Sequence, residues 1–187
     1  NGNPATSNSL TMTVLESTDV SLSVGATTSE ICEGEEVTFT ATPVNPGEDP
    51  TYEWKVNGEV VGDNSTTYTS SALTDEDVVV CEMVSSEFCP VPNPAVSNEI
   101  MMDVTMLPVQ ASEPQGPDHV DSYSTPTTDY TTAAVQGATS YTWTIDPETA
   151  GTINVQDNTC TVTWDGGYTG SVAINVAGTN DCGNGPA

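Results

Sequence analysis

Apolar side chains recur at every second position through most of this chain. Val20-Ser21-Leu22-Ser23-Val24, Val37-Thr38-Phe39-Thr40-Ala41 and Ser140-Tyr141-Thr142-Trp143-Thr144-Ile145 show the period clearly. That period belongs to a β-strand with one buried and one wet face. In the first half it predicts strands at 10–14, 20–24, 37–41, 52–56, 59–61, 66–69, 78–84 and 100–104. In the second half it predicts strands at 130–132, 140–145, 151–155, 160–164 and 171–176. Asn57-Gly58 between two such runs is a strong hairpin signal, because both residues tolerate positive φ. No stretch holds a helical period for three turns, so the fold class read from the pattern is all-β.

The pattern also repeats over a longer distance. Asn3-Pro4-Ala5-Thr6-Ser7-Asn8-Ser9-Leu10-Thr11-Met12-Thr13-Val14 returns 90 residues later as Asn93-Pro94-Ala95-Val96-Ser97-Asn98-Glu99-Ile100-Met101-Met102-Asp103-Val104, with seven of twelve positions identical. A recurrence at that spacing is the signature of an array of folded units. The strand order from 16 to 107, with Trp54 on the third strand and Cys81 on the sixth, resembles an immunoglobulin-like sandwich. Phe39 and Ala41 occupy the second strand where such domains place a partner cysteine. The expected division is therefore 1–15 as the closing strand of a preceding repeat, 16–107 as one sandwich and 108–187 as a second. Short connections at Glu16-Ser17-Thr18 and Leu107-Pro108-Val109-Gln110 place the sandwiches end to end. Pro186-Ala187 matches Pro4-Ala5, so the second sandwich is expected to lack its last strand and the N-terminus to carry a spare one.

Composition narrows the partners. One basic residue stands against 27 acids, 18 before residue 108 and 9 after it, for a net charge of −26. Nucleic acid is excluded, since binding it needs a basic footprint. No run is long and apolar enough for a membrane helix, so no membrane insertion is expected. Five cysteines without a Cys-x-x-Cys pair, in a β-rich chain, point to an oxidising, extracellular setting. His119 is the single histidine and lacks the partners of a zinc site or a triad.

Three stretches carry a family resemblance. Ile31-Cys32-Glu33-Gly34-Glu35-Glu36-Val37-Thr38-Phe39-Thr40-Ala41-Thr42-Pro43, Tyr52-Glu53-Trp54-Lys55-Val56-Asn57-Gly58 and Asn93-Pro94-Ala95-Val96-Ser97-Asn98 resemble repeats of giant cell-surface adhesins of Bacteroidota, a group that includes gliding-motility adhesins. Residues 108–187, through Gln115-Gly116-Pro117, Gly137-Ala138-Thr139-Ser140-Tyr141-Thr142-Trp143 and Cys182-Gly183, resemble the PKD-like modules found beside them. The resemblance implies cell-surface localisation, export by type IX secretion, and a spacer, polymer or adhesive role. It also ranks Cys32–Cys89 first among the disulfide pairings of domain one.

Candidate chemistry is sparse. No nucleophile triad, phosphate loop or metallohydrolase motif is present, so no enzyme is expected. Glu33, Glu36, Asp75 and Asp77 fall in two turns that a sandwich would put at one end. There they could hold calcium, which takes about six to eight oxygen ligands, or form a solvated acidic rim. Cys32, Cys81 and Cys89 allow three pairings in domain one, and Cys160 with Cys182 one in domain two. Trp54, Trp143 and Trp164 lie on alternating strands as core residues. The expected function is thus a structural or adhesive repeat, with a calcium-dependent or carbohydrate-binding module for surface glycans as the alternative. Neighbouring copies or adjacent repeats are the expected partners, through end-strand completion.

Overall fold

The computed structural model describes residue 2 and residues 8–186, and among these the chain is all-β apart from one 3₁₀ turn at Glu148–Ala150. The strands are β1 (Thr18–Asp19), β2 (Ser21–Ala26), β3 (Glu30–Cys32), β4 (Val37–Val44), β5 (Thr51–Val56), β6 (Glu59–Val61), β7 (Thr67–Ser70), β8 (Val78–Val84) and β9 (Pro90–Val91). They continue as β10 (Ala95–Val96), β11 (Ile100–Met101), β12 (Asp103–Thr105), β13 (Thr127–Thr131), β14 (Ser140–Asp146), β15 (Gly151–Gln156), β16 (Thr159–Trp164), β17 (Ala173–Asn180) and β18 (Gly183–Asn184). Two compact units emerge: Asn1–Ser29 with Glu36–Asp103, and Glu30–Glu35 with Val104–Ala187. The short segment Glu30–Glu35, expected within domain one, belongs with the second unit.

In the first unit, a sheet ordered β2-β4-β7 and a sheet ordered β10-β8-β5-β6, with β11 also on β8, form a β-sandwich. The alternation read from the sequence sends Leu22, Val24, Val37, Phe39, Ala41, Trp54, Val79, Cys81 and Met83 inward, all buried. Trp54 sits opposite Cys81 on the neighbouring strand. Its ring lies 6.4 Å from Phe39 and 5.8 Å from Tyr68, and its indole N–H donates to the Ser65 carbonyl at 2.9 Å. A fully buried tryptophan with its one polar atom satisfied is a core anchor, and truncating such a residue typically costs about 3–5 kcal/mol. The β5–β6 hairpin turns at Asn57 and Gly58, with φ of 52° and 83°. That is the backbone an Asn-Gly pair adopts cheaply and a β-branched residue would resist.

The segment from Ala95 to Met101 closes this sandwich antiparallel to β8. Ala95 stands opposite Met83 and Val96 opposite Glu82, and the Ser97 N–H donates to the Cys81 carbonyl at 3.0 Å. After an interruption, Ile100 stands opposite Val79 and Met101 opposite Val78. The interruption frees the Asn98 side chain to reach β2. Its Oδ1 accepts the Val24 N–H at 2.9 Å and its Nδ2 donates to the Val24 carbonyl at 3.0 Å.

In the second unit, one sheet runs β13-β16-β15 and the other β14-β17-β18. Tyr130, Trp143, Ile145, Ala150, Cys160, Val162 and Val176 form its core. Trp143 occupies the place Trp54 holds in the first unit: it faces Val176 across the ladder and donates its indole N–H to the Asp157 carbonyl at 3.2 Å. The strand expected at 10–14 is not formed. Residues 8–17 are exposed and carry no ladder pairing, and the chain first joins a ladder at Thr18 in β1. The rest of the expected closing strand, residues 1 and 3–7, lies outside the described residues.

Candidate functional site

Of the four acidic residues singled out from the sequence, Asp77 is the buried one. Asp77 is 8% exposed. One oxygen accepts the Asn57 side-chain amide at 2.6 Å and the other the Thr74 N–H at 2.7 Å. Asn57 in turn accepts the Val78 N–H at 3.0 Å, so the pair pins the β5–β6 turn to the start of β8. Burial pushes the Asp77 carboxyl up, but hydrogen bonds from Thr74 and Asn57 outweigh it and hold the group below its ordinary range. Glu33, Glu36 and Asp75 are exposed. Among the described residues, no three His, Cys, Asp or Glu side chains gather as a metal would need. Of the four carboxylates weighed as calcium ligands or as an acidic rim, Asp77 commits its oxygens to holding a turn.

The cysteines pair differently from expectation. Cys32 is bonded to Cys182, 150 residues along the chain, and not to Cys89. The reason lies in the second unit. β3, which carries Cys32, pairs with β12, and the Glu33 N–H donates to the Thr105 carbonyl at 3.0 Å. Cys182 follows β17, where Asn180 accepts its N–H at 3.0 Å and donates to the Met106 carbonyl at 2.7 Å. Both cysteines are thus fixed against the same stretch, 104–106. Cys160, the expected partner of Cys182, is a buried thiol in β16. Cys81 is likewise a buried thiol, and Cys89 an exposed one. Burial pushes the Cys81 and Cys160 thiols up to about 11 each, which makes them inert core residues at neutral pH.

In the second unit, the two sides of β17 are paired to different extents among the described residues. On one side β17 is paired along nearly its whole length by β14, from Ser140 opposite Thr179 to Asp146 opposite Ala173. On the other side β18 takes only Thr179 and Asn180, and the Gly185 N–H adds one bond to the Gly178 carbonyl at 2.9 Å. Strand periodicity turns the amide groups of Val176 and Ile174 the same way as those of Gly178. Among the described residues, no strand pairs with them there. Beside this edge lies a cleft of about 920 Å³, with Tyr130, Ala150, Trp164, Tyr168, Val172 and Ile174 on its walls and residues 113–122 along its rim. His119 is exposed on that rim, in a loop. The aromatic walls are held in place by their polar atoms. Trp164 donates to the Thr128 hydroxyl at 2.8 Å, and Tyr130 to the Pro117 carbonyl at 2.9 Å.

Comparison with known proteins bears on this unit most. Residues 108–187 match the family model of the PKD-like domain. No curated protein matches the chain. Among solved structures, the chain is similar to the mouse nectin-like molecule 4 ectodomain (Ig1–Ig3) at 17% identity and a TM-score of 0.41, covering 88% of this chain and 60% of that one. It is similar to the three N-terminal domains of the bacteriophage RB49 highly immunogenic outer capsid protein at 16% identity and a TM-score of 0.43, covering 88% and 56%. The chain thus spans less than two thirds of either structure.

Two residues that matter here carry only a faint sequence signal. Asn98 lies between strands and has no period to mark it, although its recurrence as Asn8 in the repeated segment is a hint. Ile174 has the alternation of an ordinary core position, yet it is only half-buried at the open edge.

Proposed function

We propose that this chain is a structural segment of an extracellular surface adhesin or filament, acting as a spacer or polymer module without chemistry of its own. The observation that carries this reading is the internal repeat. The segment that closes the first sandwich recurs 90 residues earlier with seven of twelve positions identical, as a molecule built of iterated sandwiches would have it. The PKD-like match of residues 108–187 supports it, as does a net charge of −26, which keeps neighbouring molecules dispersed in salt water. The cleft combines the aromatic rings of Tyr130, Trp164 and Tyr168 with polar rim residues that include Asp118, His119 and Asp121.

Glycan arrays and small-angle scattering together test the spacer role. The reading expects no saturable glycan binding, and an elongated particle whose length grows in equal steps as copies of the segment are joined. Saturable binding to a defined glycan, abolished by replacing Trp164 or Tyr168, would replace the spacer with a lectin-like module.

A further inference from the structure

We propose that Asn57 is a site of spontaneous deamidation that the fold holds shut through Asp77, and that its conversion to a carboxylate opens the β5–β6 hairpin. This goes beyond the spacer reading, does not depend on it, and stands on the geometry of one turn.

The chemistry needs only water. In an Asn-Gly pair the glycine backbone nitrogen attacks the side-chain carbonyl carbon of the asparagine and gives up its proton. The bond from that carbon to Nδ2 breaks, the nitrogen leaves as ammonia, and a cyclic succinimide remains. Water then opens the ring at either carbonyl and leaves aspartate or isoaspartate. Glycine favours the attack because it has no Cβ to crowd the nitrogen. Asn57 and Gly58 are both exposed, and nothing lies within 4 Å of where a Gly58 Cβ would stand. The nucleophile and the water are therefore at hand.

What the turn withholds is the side-chain amide. Asn57 Nδ2 donates to Asp77 Oδ1 at 2.6 Å, and Asn57 Oδ1 accepts the Val78 N–H at 3.0 Å. The Asn57 N–H donates to the Val78 carbonyl at 2.9 Å, so backbone and side chain are both tied to the start of β8. Ring closure requires the amide to swing back over Gly58, and both of its ends are engaged elsewhere. Asp77 acts in a second way. Its carboxyl lies below the ordinary range and is ionised at neutral pH, so it accepts from Nδ2 and offers no proton to a leaving nitrogen. Asp77 is itself fixed, with its other oxygen on the Thr74 N–H at 2.7 Å.

Conversion undoes this hold. An aspartate at position 57 sets a second carboxylate against Asp77 where Nδ2 had donated, and attraction becomes like-charge repulsion. An isoaspartate there lengthens the backbone of a two-residue turn whose φ values, 52° and 83°, suit the twist of its strands. β6 is the last strand of its sheet, and among the described residues it pairs with β5 alone, from Trp54 opposite Val61 to Val56 opposite Glu59. Loss of the turn frees β6 and uncovers the strand that carries Trp54.

The test incubates the full chain in mildly alkaline buffer, folded or unfolded in urea, and follows Asn57 by peptide mapping with mass spectrometry. Conversion is expected to be about tenfold slower or more in the folded chain, as the hold of one charge-assisted hydrogen bond allows. Asp77→Ala is expected to remove most of that difference. Equal rates in the folded and unfolded chains overturn the protection, and so does a folded Asp77→Ala chain that reacts as slowly as the parent. Calorimetry reads the consequence separately and does not depend on the folding of Asp77→Ala. Asn57→Asp is expected to lower the melting transition of the first unit. Adding Asp77→Asn is expected to restore it, because an amide at position 77 then donates to a carboxylate at position 57. An Asn57→Asp chain that melts like the parent overturns the opening of the hairpin. A doubly substituted chain no more stable than Asn57→Asp alone overturns it as well. The spacer role is judged by the glycan and scattering results and survives any of these failures.

Discussion

Asn98 grips Val24 with both ends of its amide, accepting the backbone N–H at 2.9 Å and donating to the carbonyl at 3.0 Å. The contact joins the closing segment, which otherwise lies along β8, to β2 in the facing sheet. One side chain thereby replaces a rung of backbone ladder and latches the first sandwich shut. Val24 is itself a core residue, so its amide groups cannot simply turn to water.

Replacing Asn98 by Ala strands both groups of Val24. Leaving a partly buried donor and acceptor unsatisfied costs about 1–3 kcal/mol. For a domain of this size each kcal/mol lowers the melting temperature by roughly 4–8 °C. Asn98→Asp keeps the acceptor but loses the donor and adds a charge, and is expected to be at least as damaging. Differential scanning calorimetry reads both.

Asp77 makes the first unit sensitive to acid. Its carboxyl is held below the ordinary range in the folded state, so its contribution is fully present above about pH 4 and fades as pH falls through the folded value. Asp77→Asn is expected to melt earlier at neutral pH, by an amount equivalent to about 1–3 kcal/mol for charge-assisted hydrogen bonds. The gap between the two proteins narrows as both are acidified. A gap that held constant down to about pH 2 would show that the charge is irrelevant. Added calcium is expected to leave the gap unchanged, since the carboxylate is already engaged.

The three free thiols divide by burial. Cys89 is exposed and is expected to react with a thiol reagent in the native protein. Cys81 and Cys160, buried and raised to about 11, are expected to react only on unfolding. Mass spectrometry after brief alkylation would find one label on the native chain and three on the unreduced, denatured one.

Cys32–Cys182 ties Glu30–Glu35 into the second unit. Its removal by Cys182→Ser frees a long loop in the denatured chain, and native disulfides of small domains typically contribute about 2–5 kcal/mol. The variant is expected to lower the melting transition of the second unit and to leave the Asn98 latch of the first intact. Equal loss in both transitions would contradict this assignment.

The alternation of Val20–Val24, Val37–Ala41, Tyr52–Val56 and Ser140–Ile145 makes the strands and most of the core legible, because burial on one face imposes a period of two on each of them. The same logic names Trp54 and Trp143 as core residues. It fails where pairing depends on residues far apart in the chain. β3 is three residues long and too short to show a period, so the link of Cys32 to Cys182 is not readable from spacing. The segment 10–14 has the alternation of a strand yet forms none in the single chain, since a pattern records which face wants burial and not whether a partner is present. The acidic turns mislead for a related reason. Sequence shows that Asp75 and Asp77 are neighbours, but only the fold shows that Asp77 is turned inward onto Asn57 and Thr74.

A glycan array probed with the full chain tests the central claim most directly, because a spacer needs no ligand and a binding module does. The account predicts no saturable binding to any glycan. Saturable binding to a defined glycan, lost when Trp164 or Tyr168 is replaced, would contradict it.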